Sequence, residues 1–258
     1  MKVVDILSSR RLQLGVLSIA AVFLVYMWIT NQPDNNPALL PPISDIVASF
    51  FTNLNSGNLL SALGASLFRI TMGFFIGTTL ALIVGCMVGW YKTIEYLVDP
   101  LIEAVRPIPP LAYIPIIIIW FGIDEFSRVL IITIACFMVC VVNVIAGMKN
   151  VPQVYVDAAS TMGASRFQVF RTVAIPAATP FIITGYRIAL GAAWTTLVAS
   201  ELLAAQNGLG FLLQEGRRYF ATDQVMMVIV IIGGCAFIMD RIFRRIQAYL
   251  MQWSEARE

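Results

Sequence analysis

Histidine is absent from this 258-residue chain, which removes histidine-based catalytic triads, imidazole metal ligands and imidazole proton relays. Charge is scarce: Asp, Glu, Lys and Arg make up 12% of the residues, against roughly 25% in an average soluble domain. No Gly-x-x-x-x-Gly-Lys-Ser/Thr phosphate loop occurs, so any nucleotide hydrolysis must belong to another chain. The net charge of +2 is too small to point to nucleic acid. Only Cys86, Cys136, Cys140 and Cys235 carry thiols, in apolar runs and in no zinc or redox spacing, so they read as buried and inert. What is abundant is apolar: 59% of residues are hydrophobic and the mean hydropathy is +0.82. Such a chain cannot cover itself in water, and an all-α integral membrane protein of one membrane domain is the expected class.

A bilayer core about 30 Å thick needs about 20 apolar residues per helix. Six spans satisfy this, over 13–30, 62–90, 95–121, 127–147, 177–203 and 224–248. The first follows a basic flank of Lys2, Arg10 and Arg11, which also suits a signal peptide. No clean Ala-x-Ala site follows the uncharged run Leu12–Pro33, so a retained transmembrane helix is expected. Between spans one and two, Ile46, Val47, Phe50, Phe51 and Leu54 recur at helical spacing after Pro41-Pro42, with Ser44 placed to cap. Polar residues from Asn53 to Asn58 interrupt the run, which fits a short interfacial helix. Pro107, Pro109, Pro110 and Pro115 lie inside span three, where they remove backbone donors and break the helix. A broken helix at membrane depth is tolerated where protein buries it or a cavity is lined, which fits a gate, a pathway wall or a passive kink. Gly73, Gly77, Gly85 and Gly89 recur at four-residue steps on span two and predict close helix packing.

Six spans place both termini on one side, and basic residues choose the side. With the N-terminus inside, Lys2, Arg10, Arg11, Lys92, Lys149, Arg166, Arg171, Arg241, Arg244, Arg245 and Arg257 are cytoplasmic, out of 17 basic residues in all. The outer loops hold Arg128, Arg217 and Arg218, and Arg69, Arg106 and Arg187 fall within spans. Cytoplasmic termini are therefore expected. The polar stretch between spans four and five then faces the cytoplasm. There Pro152 suits the start of a helix and Gly163 its end, with Val154, Ala158 and Met162 on one face. Ser165 is placed to cap a second helix through Phe167 and Phe170. The pattern predicts a helix–Gly–helix peg at the membrane face, or else an ordinary polar loop.

The same stretch resembles the cytoplasmic signature of ABC importer permeases. That signature reads Glu-Ala-Ala, three residues, Gly, nine residues, Ile, one residue, Leu-Pro. The chain has Asp157-Ala158-Ala159, Gly163, Val173 and Ile175-Pro176 in the same register, with Asp for Glu, Val for Ile and Ile for Leu. The stretches from Arg106 to Pro115, from Trp120 to Ile123, from Thr184 to Gly191, and from Leu197 to Leu202 with Gly208-Leu209-Gly210 resemble the subfamily importing taurine, aliphatic sulfonates and nitrate, taurine permeases above all. The similarity runs over roughly residues 40 to 245.

The resemblance implies the type I ABC importer permease fold, a multi-pass protein of the bacterial inner membrane. It also implies a homodimer with a second copy of the chain, two ATP-binding cassette subunits and a periplasmic substrate-binding protein. No cofactor would be bound by this chain, and ATP and Mg would sit on the ATPase partners. Asp157, Ala158, Ala159, Gly163, Ile175 and Pro176 would form the ATPase-coupling segment. The domain layout would be an N-terminal transmembrane helix in 1–35, a periplasmic segment with an interfacial helix in 36–60, and a five-helix core in 61–248. The coupling loop would occupy 150–176 and a cytoplasmic tail 249–258.

Charges inside spans are functional candidates because lipid holds them at a cost. Arg187, Gly191, Trp194, Val198 and Glu201 are spaced 4, 3, 4 and 3 residues apart, which puts them on one face of span five. Arg187 offers a fork for an anion, Gly191 room and Trp194 a wall, with hydroxyls at Thr195 and Thr196 nearby. Glu201 is roughly 21 Å along the helix from Arg187, near the outer mouth. Arg106 and Pro109 in the broken span join these as pathway residues, although Glu103 sits one turn before Arg106 and offers it a purely architectural partner. Arg69 stands near the outer end of span two, within reach of headgroups. The substrate expected is a small anion, taurine or another sulfonate, with nitrate or a small heterocyclic precursor as alternatives. An ion-driven secondary transporter would need intramembrane acids or an inverted repeat, and spans four and six show no deep acid. A membrane-embedded enzyme lacks both histidine and clustered carboxylates.

Overall fold

The computed structural model describes residues 10–204 and 206–251. The expectations for Lys2, for Arg257 and for most of the tail 249–258 lie outside the described residues. Every regular element described is helical. In chain order we label them α1 (Arg10–Thr30), α2 (Ile43–Asn55), α3 (Asn58–Trp90), α4 (Lys92–Val105), α5 (Ile114–Phe121), α6 (Glu125–Lys149), α7 (Gln153–Thr161), α8 (Arg166–Val169), α9 (Ile175–Ala204), α10 (Leu209–Arg218) and α11 (Thr222–Leu250). A 3-10 turn, Pro110–Tyr113, precedes α5, and a π turn, Phe170–Ala174, joins α8 to α9.

Four stretches are long and apolar enough to cross a membrane: Asn58–Trp90, Glu125–Lys149, Arg166–Leu203 and Thr222–Tyr249. The expected third span is two helices, Lys92–Val105 and Pro110–Phe121, bent by 86°. Prolines at 107, 109 and 110 deny the chain the donors that would carry one helix through. The first expected span corresponds to the shorter apolar stretch Ala20–Thr30. Among the described residues the length criterion thus yields four spans, or five if the bent pair counts as one, rather than six.

The chain divides into two compact units. One takes the described residues up to Leu59 together with Leu212–Val230. Within it, Tyr26 Oη donates to the Pro41 carbonyl (2.7 Å), and Thr222 Oγ1 donates to the Ala38 carbonyl (2.5 Å). The interfacial helix forms as α2, but Pro42, not Ser44, is its cap residue. The Ser44 hydroxyl instead donates to Asp45 Oδ1.

The other unit takes Leu60–Phe211 and the described residues from Ile231 on. Its core joins Ile70, Phe74 and Val88 of α3, Ile132, Cys140 and Val144 of α6, and Ala178, Ala193 and Leu197 of the α9 stretch. The glycine steps explain how α3 and α6 come so close. A Cβ on Gly73 would lie 2.6 Å from Ile132 Cβ, one on Gly77 2.5 Å from the Thr133 carbonyl, and one on Gly85 2.7 Å from Val144 Cβ. Gly89 has no more room against Met148. Backbones packed at that distance gain dispersion contacts that lipid tails cannot offer. Cys86, Cys136 and Cys140 are buried and free of disulfides, and Cys235 is half-buried.

Candidate functional site

The peg between α6 and α9 is built by local chemistry. Pro152 precedes α7, whose C-terminal end is turned by Gly163 at φ +84°, a left-handed conformation that a side chain would strain. Ser165 opens α8 with a full capping box: its Oγ accepts from the Gln168 backbone N–H (3.3 Å), and its own N–H donates to Gln168 Oε1 (2.7 Å). The second helix does not stop at Pro176 but passes through the π turn into α9, so Arg166–Leu203 is one long stretch. The expected span of 177–203 is therefore the far part of a helix that begins in the peg.

Two aromatic contacts hold the peg to the rest of its unit: Arg166 stacks over the Tyr91 ring at 5.6 Å, and Phe170 lies 5.7 Å from Trp90. Just before the peg, Lys149 ties the end of α6 to α4 through Glu95 (2.8 Å) and Asp99 (3.2 Å). On its free side the peg presents Val154, Ala158, Met162 and Phe167, with Met162 82% exposed. Of the expected coupling residues, Asp157, Ala158, Gly163 and Pro176 are exposed and Ile175 is half-buried. Ala159 is buried against its own chain, about 100° around α7 from the exposed Ala158. Asp157 accepts from Gln153 Nε2 at 2.9 Å, one helical turn away.

The face of α9 expected to line a pathway divides in two. Arg187, Gly191 and Trp194 line one cavity of about 570 Å3, together with Asp240 of α11. Arg187 Nε donates to Asp240 Oδ1 (3.2 Å), while Arg244 Nε donates to Asp240 Oδ2 (2.7 Å). Trp194 is buried, and its indole N–H has no hydrogen-bond partner. Thr195 is exposed, and its hydroxyl turns back to the Ala192 carbonyl (2.9 Å). Asp240 was missed: it is the lone acid between Asp223 and Glu255, and that isolation was its signal.

Glu201 is not on that cavity. It is 1% exposed and tied to Arg69, which is equally buried, so neither expectation for the pair holds. Arg69 Nη1 donates to Glu201 Oε1 (2.6 Å) and to the Asn207 carbonyl (2.6 Å), while its other nitrogens fork onto Glu125 (2.7 and 2.5 Å). Glu201 also accepts from Ser66 Oγ (2.7 Å) and from the Gly210 N–H (2.8 Å). Glu125 is shared with Arg128 (2.6 Å), so two arginines face two carboxylates. A Cβ on Gly208 would stand 2.5 Å from the Glu201 carboxylate, which is why the loop there carries no side chain. Pairing is what makes the buried charges of Arg69 and Glu201 tolerable, with the half-exposed Glu125 closing the set from the solvent side.

Arg106 ends α4 exposed, and among the described residues no ion pair with Glu103 forms. It lines a smaller cavity of about 320 Å3 with Pro110 and Asn143. Pro109 is exposed at the start of the 3-10 turn. Among the described residues no group of three or more His, Cys, Asp or Glu could hold a metal.

The family model of the binding-protein-dependent transport system inner membrane component matches residues 73–251. The chain is 38% identical over 250 residues to a taurine transport system permease protein of Escherichia coli (strain K12), covering 95% of this chain and 91% of that one. It is 30% identical to a putative aliphatic sulfonates transport permease protein of Bacillus subtilis (strain 168), covering 95% and 88%. In fold it matches the solved inward-facing MetNI methionine ABC transporter with a TM-score of 0.63 at 19% identity, over 74% of this chain and 95% of that one. The matched span takes in the peg, the bent helix pair and both cavities, and the chain belongs to the family of binding-protein-dependent inner-membrane permease components of ABC importers.

Proposed function

We propose that the chain carries a small sulfonate, taurine foremost, across the inner membrane as one half of a homodimeric permease. Six crossings with both termini cytoplasmic would put the 150–176 peg in the cytoplasm. Two ATP-binding cassette subunits would grip it there, and a periplasmic binding protein would deliver solute to the opposite face. ATP and Mg would be held by the ATPase partners and no cofactor by this chain. ATP-driven closure of those partners would draw the two pegs together and turn the pathway outward; hydrolysis would return it inward.

The observation that carries this reading is the peg itself. Its apolar side chains Val154, Met162 and Phe167 are 65%, 82% and 62% exposed, on an element whose caps and anchors hold it firmly. Exposed apolar side chains on an ordered element mark a surface made for a protein partner. The cavity at Arg187, Gly191 and Trp194 would form the wall of the pathway, with Thr195, Arg106 and Pro109 further along it. The sulfonate preference rests on the likeness to taurine and sulfonate permeases and on the guanidinium in that wall.

Reconstitution in proteoliposomes with its partner ATPase and binding protein tests the reading. Taurine uptake should require ATP inside the cytoplasmic-facing compartment and should ignore ion gradients. Uptake driven by a sodium or proton gradient without ATP would overturn it.

A further inference from the structure

The cavity beside α9 contains features that a passive wall would not need. Gly191 sits in a regular helix, where glycine is less favourable than alanine by about 1 kcal/mol. Unlike the packed glycines of α3, it has nothing of its own chain within 4 Å of where its Cβ would be, so neither packing within the chain nor backbone conformation asks for it. Trp194, 5% exposed, keeps an indole N–H with no acceptor, and leaving such a donor unpaired out of water is costly. Along the helix, Gly191 lies about 6 Å past Arg187 and about 4.5 Å short of Trp194. A ligand seated over Gly191 thus lies between Arg187 and Trp194, both of which line the cavity.

The third feature is Asp240. It is held by Arg187 through one oxygen and by Arg244 through the other. Losing Arg187 would not orphan it. From these features we infer that the cavity is a solute subsite of the permease built for a zwitterion carrying both a sulfonate and an ammonium group. The sulfonate accepts from Arg187 and from the Trp194 N–H. The ammonium takes the place of Arg187 on Asp240, while Arg244 keeps the second carboxylate oxygen. The exchange swaps one ion pair for two and leaves the net charge of the cavity unchanged. An inorganic anion such as nitrate, or a sulfonate without an amine, can take Arg187 only by giving up one of Asp240's two ion pairs with nothing to replace it. The inference rests on the reading of the chain as a sulfonate permease, and it places part of the selectivity in the membrane subunit.

Direct binding to the purified permease–ATPase complex in nanodiscs, without the binding protein, tests it with taurine, ethanesulfonate and nitrate as probes. Taurine should bind and alter tryptophan fluorescence. Asp240→Asn should weaken taurine about tenfold or more while leaving ethanesulfonate unchanged or tighter, since Arg187 is then free of its carboxylate. Trp194→Phe should weaken both sulfonates about tenfold, and Gly191→Leu should abolish binding of both. Gly191→Leu adds bulk where the chain has open space and removes a helix-weakening glycine, so the thermal transition of the complex should not fall, which separates a filled site from a misfolded one. Absence of taurine binding by the wild-type complex, equal losses for the two sulfonates in Asp240→Asn, or full affinity in Gly191→Leu would each overturn the subsite. If wild-type complex takes up taurine with its binding protein yet binds none without it, the subsite fails and the importer reading stands. If coupled uptake of any sulfonate is absent, the importer reading itself fails.

Discussion

Glu201→Ala should be among the most damaging single substitutions away from the peg. The change removes the acceptor for Ser66 Oγ, for the Gly210 N–H and for one arm of Arg69, all of them buried. Removing one partner of a buried ion pair costs about 3–5 kcal/mol. Arg69 keeps its fork on Glu125 and its bond to the Asn207 carbonyl, so the lower end, about 3 kcal/mol, applies. For a chain of this size that corresponds to a fall in Tm of about 6–12 °C, at about 2–4 °C per kcal/mol. The assay is thermal unfolding of the purified chain in detergent, followed by cysteine accessibility, since Cys136 and Cys140 react only when the core opens. Arg69→Met should cost a similar amount, but the double variant with Glu201→Met should cost less than the two together by about 1–3 kcal/mol, because neither charge is then stranded. Additivity of the two within about 0.5 kcal/mol, or an unchanged Tm in Glu201→Ala, would refute the network.

Two further substitutions probe separate parts of the account. Gly77→Ala should destabilise by about 1–3 kcal/mol, because the methyl meets the Thr133 carbonyl, whereas Gly191→Ala should be neutral or stabilising by up to about 1 kcal/mol; chemical denaturation in detergent compares them. Ser165→Ala should cost about 1 kcal/mol locally and speed hydrogen exchange over residues 166–170, read by mass spectrometry, with little change in global unfolding.

Short-range chemistry made the peg legible from sequence. A glycine at a helix end and a serine three residues before a glutamine decide their own conformations, so Gly163 and the Ser165 cap stand where expected. The four-residue glycine steps of α3 were legible because repetition at helical spacing has one common use. The prolines announced that span three breaks, but the 86° bend depends on how the two halves pack and is written in no single residue. Arg69 and Glu201 were misjudged because 132 positions separate them and the pattern within one helix says nothing of partners on another. Glu103 and Arg106 show the opposite error: neighbours at the right spacing on helical backbone, both exposed, that form no ion pair among the described residues. Asp240 was overlooked because Arg187 was read alone, whereas the meaning of both lies in the 3.2 Å between them.

The central claim is that the apolar side of the peg docks an ATP-binding cassette subunit. Met162 is 82% exposed and has no role in the core, so Met162→Asp should shift stability within about 0.5 kcal/mol, as surface substitutions do. Affinity purification of the tagged chain with its ATPase, before and after this substitution, measures the claim most directly. The account predicts a stoichiometric complex with the wild-type chain and its loss in Met162→Asp at unchanged Tm. A complex that survives a charge at Met162 with undiminished yield would contradict it.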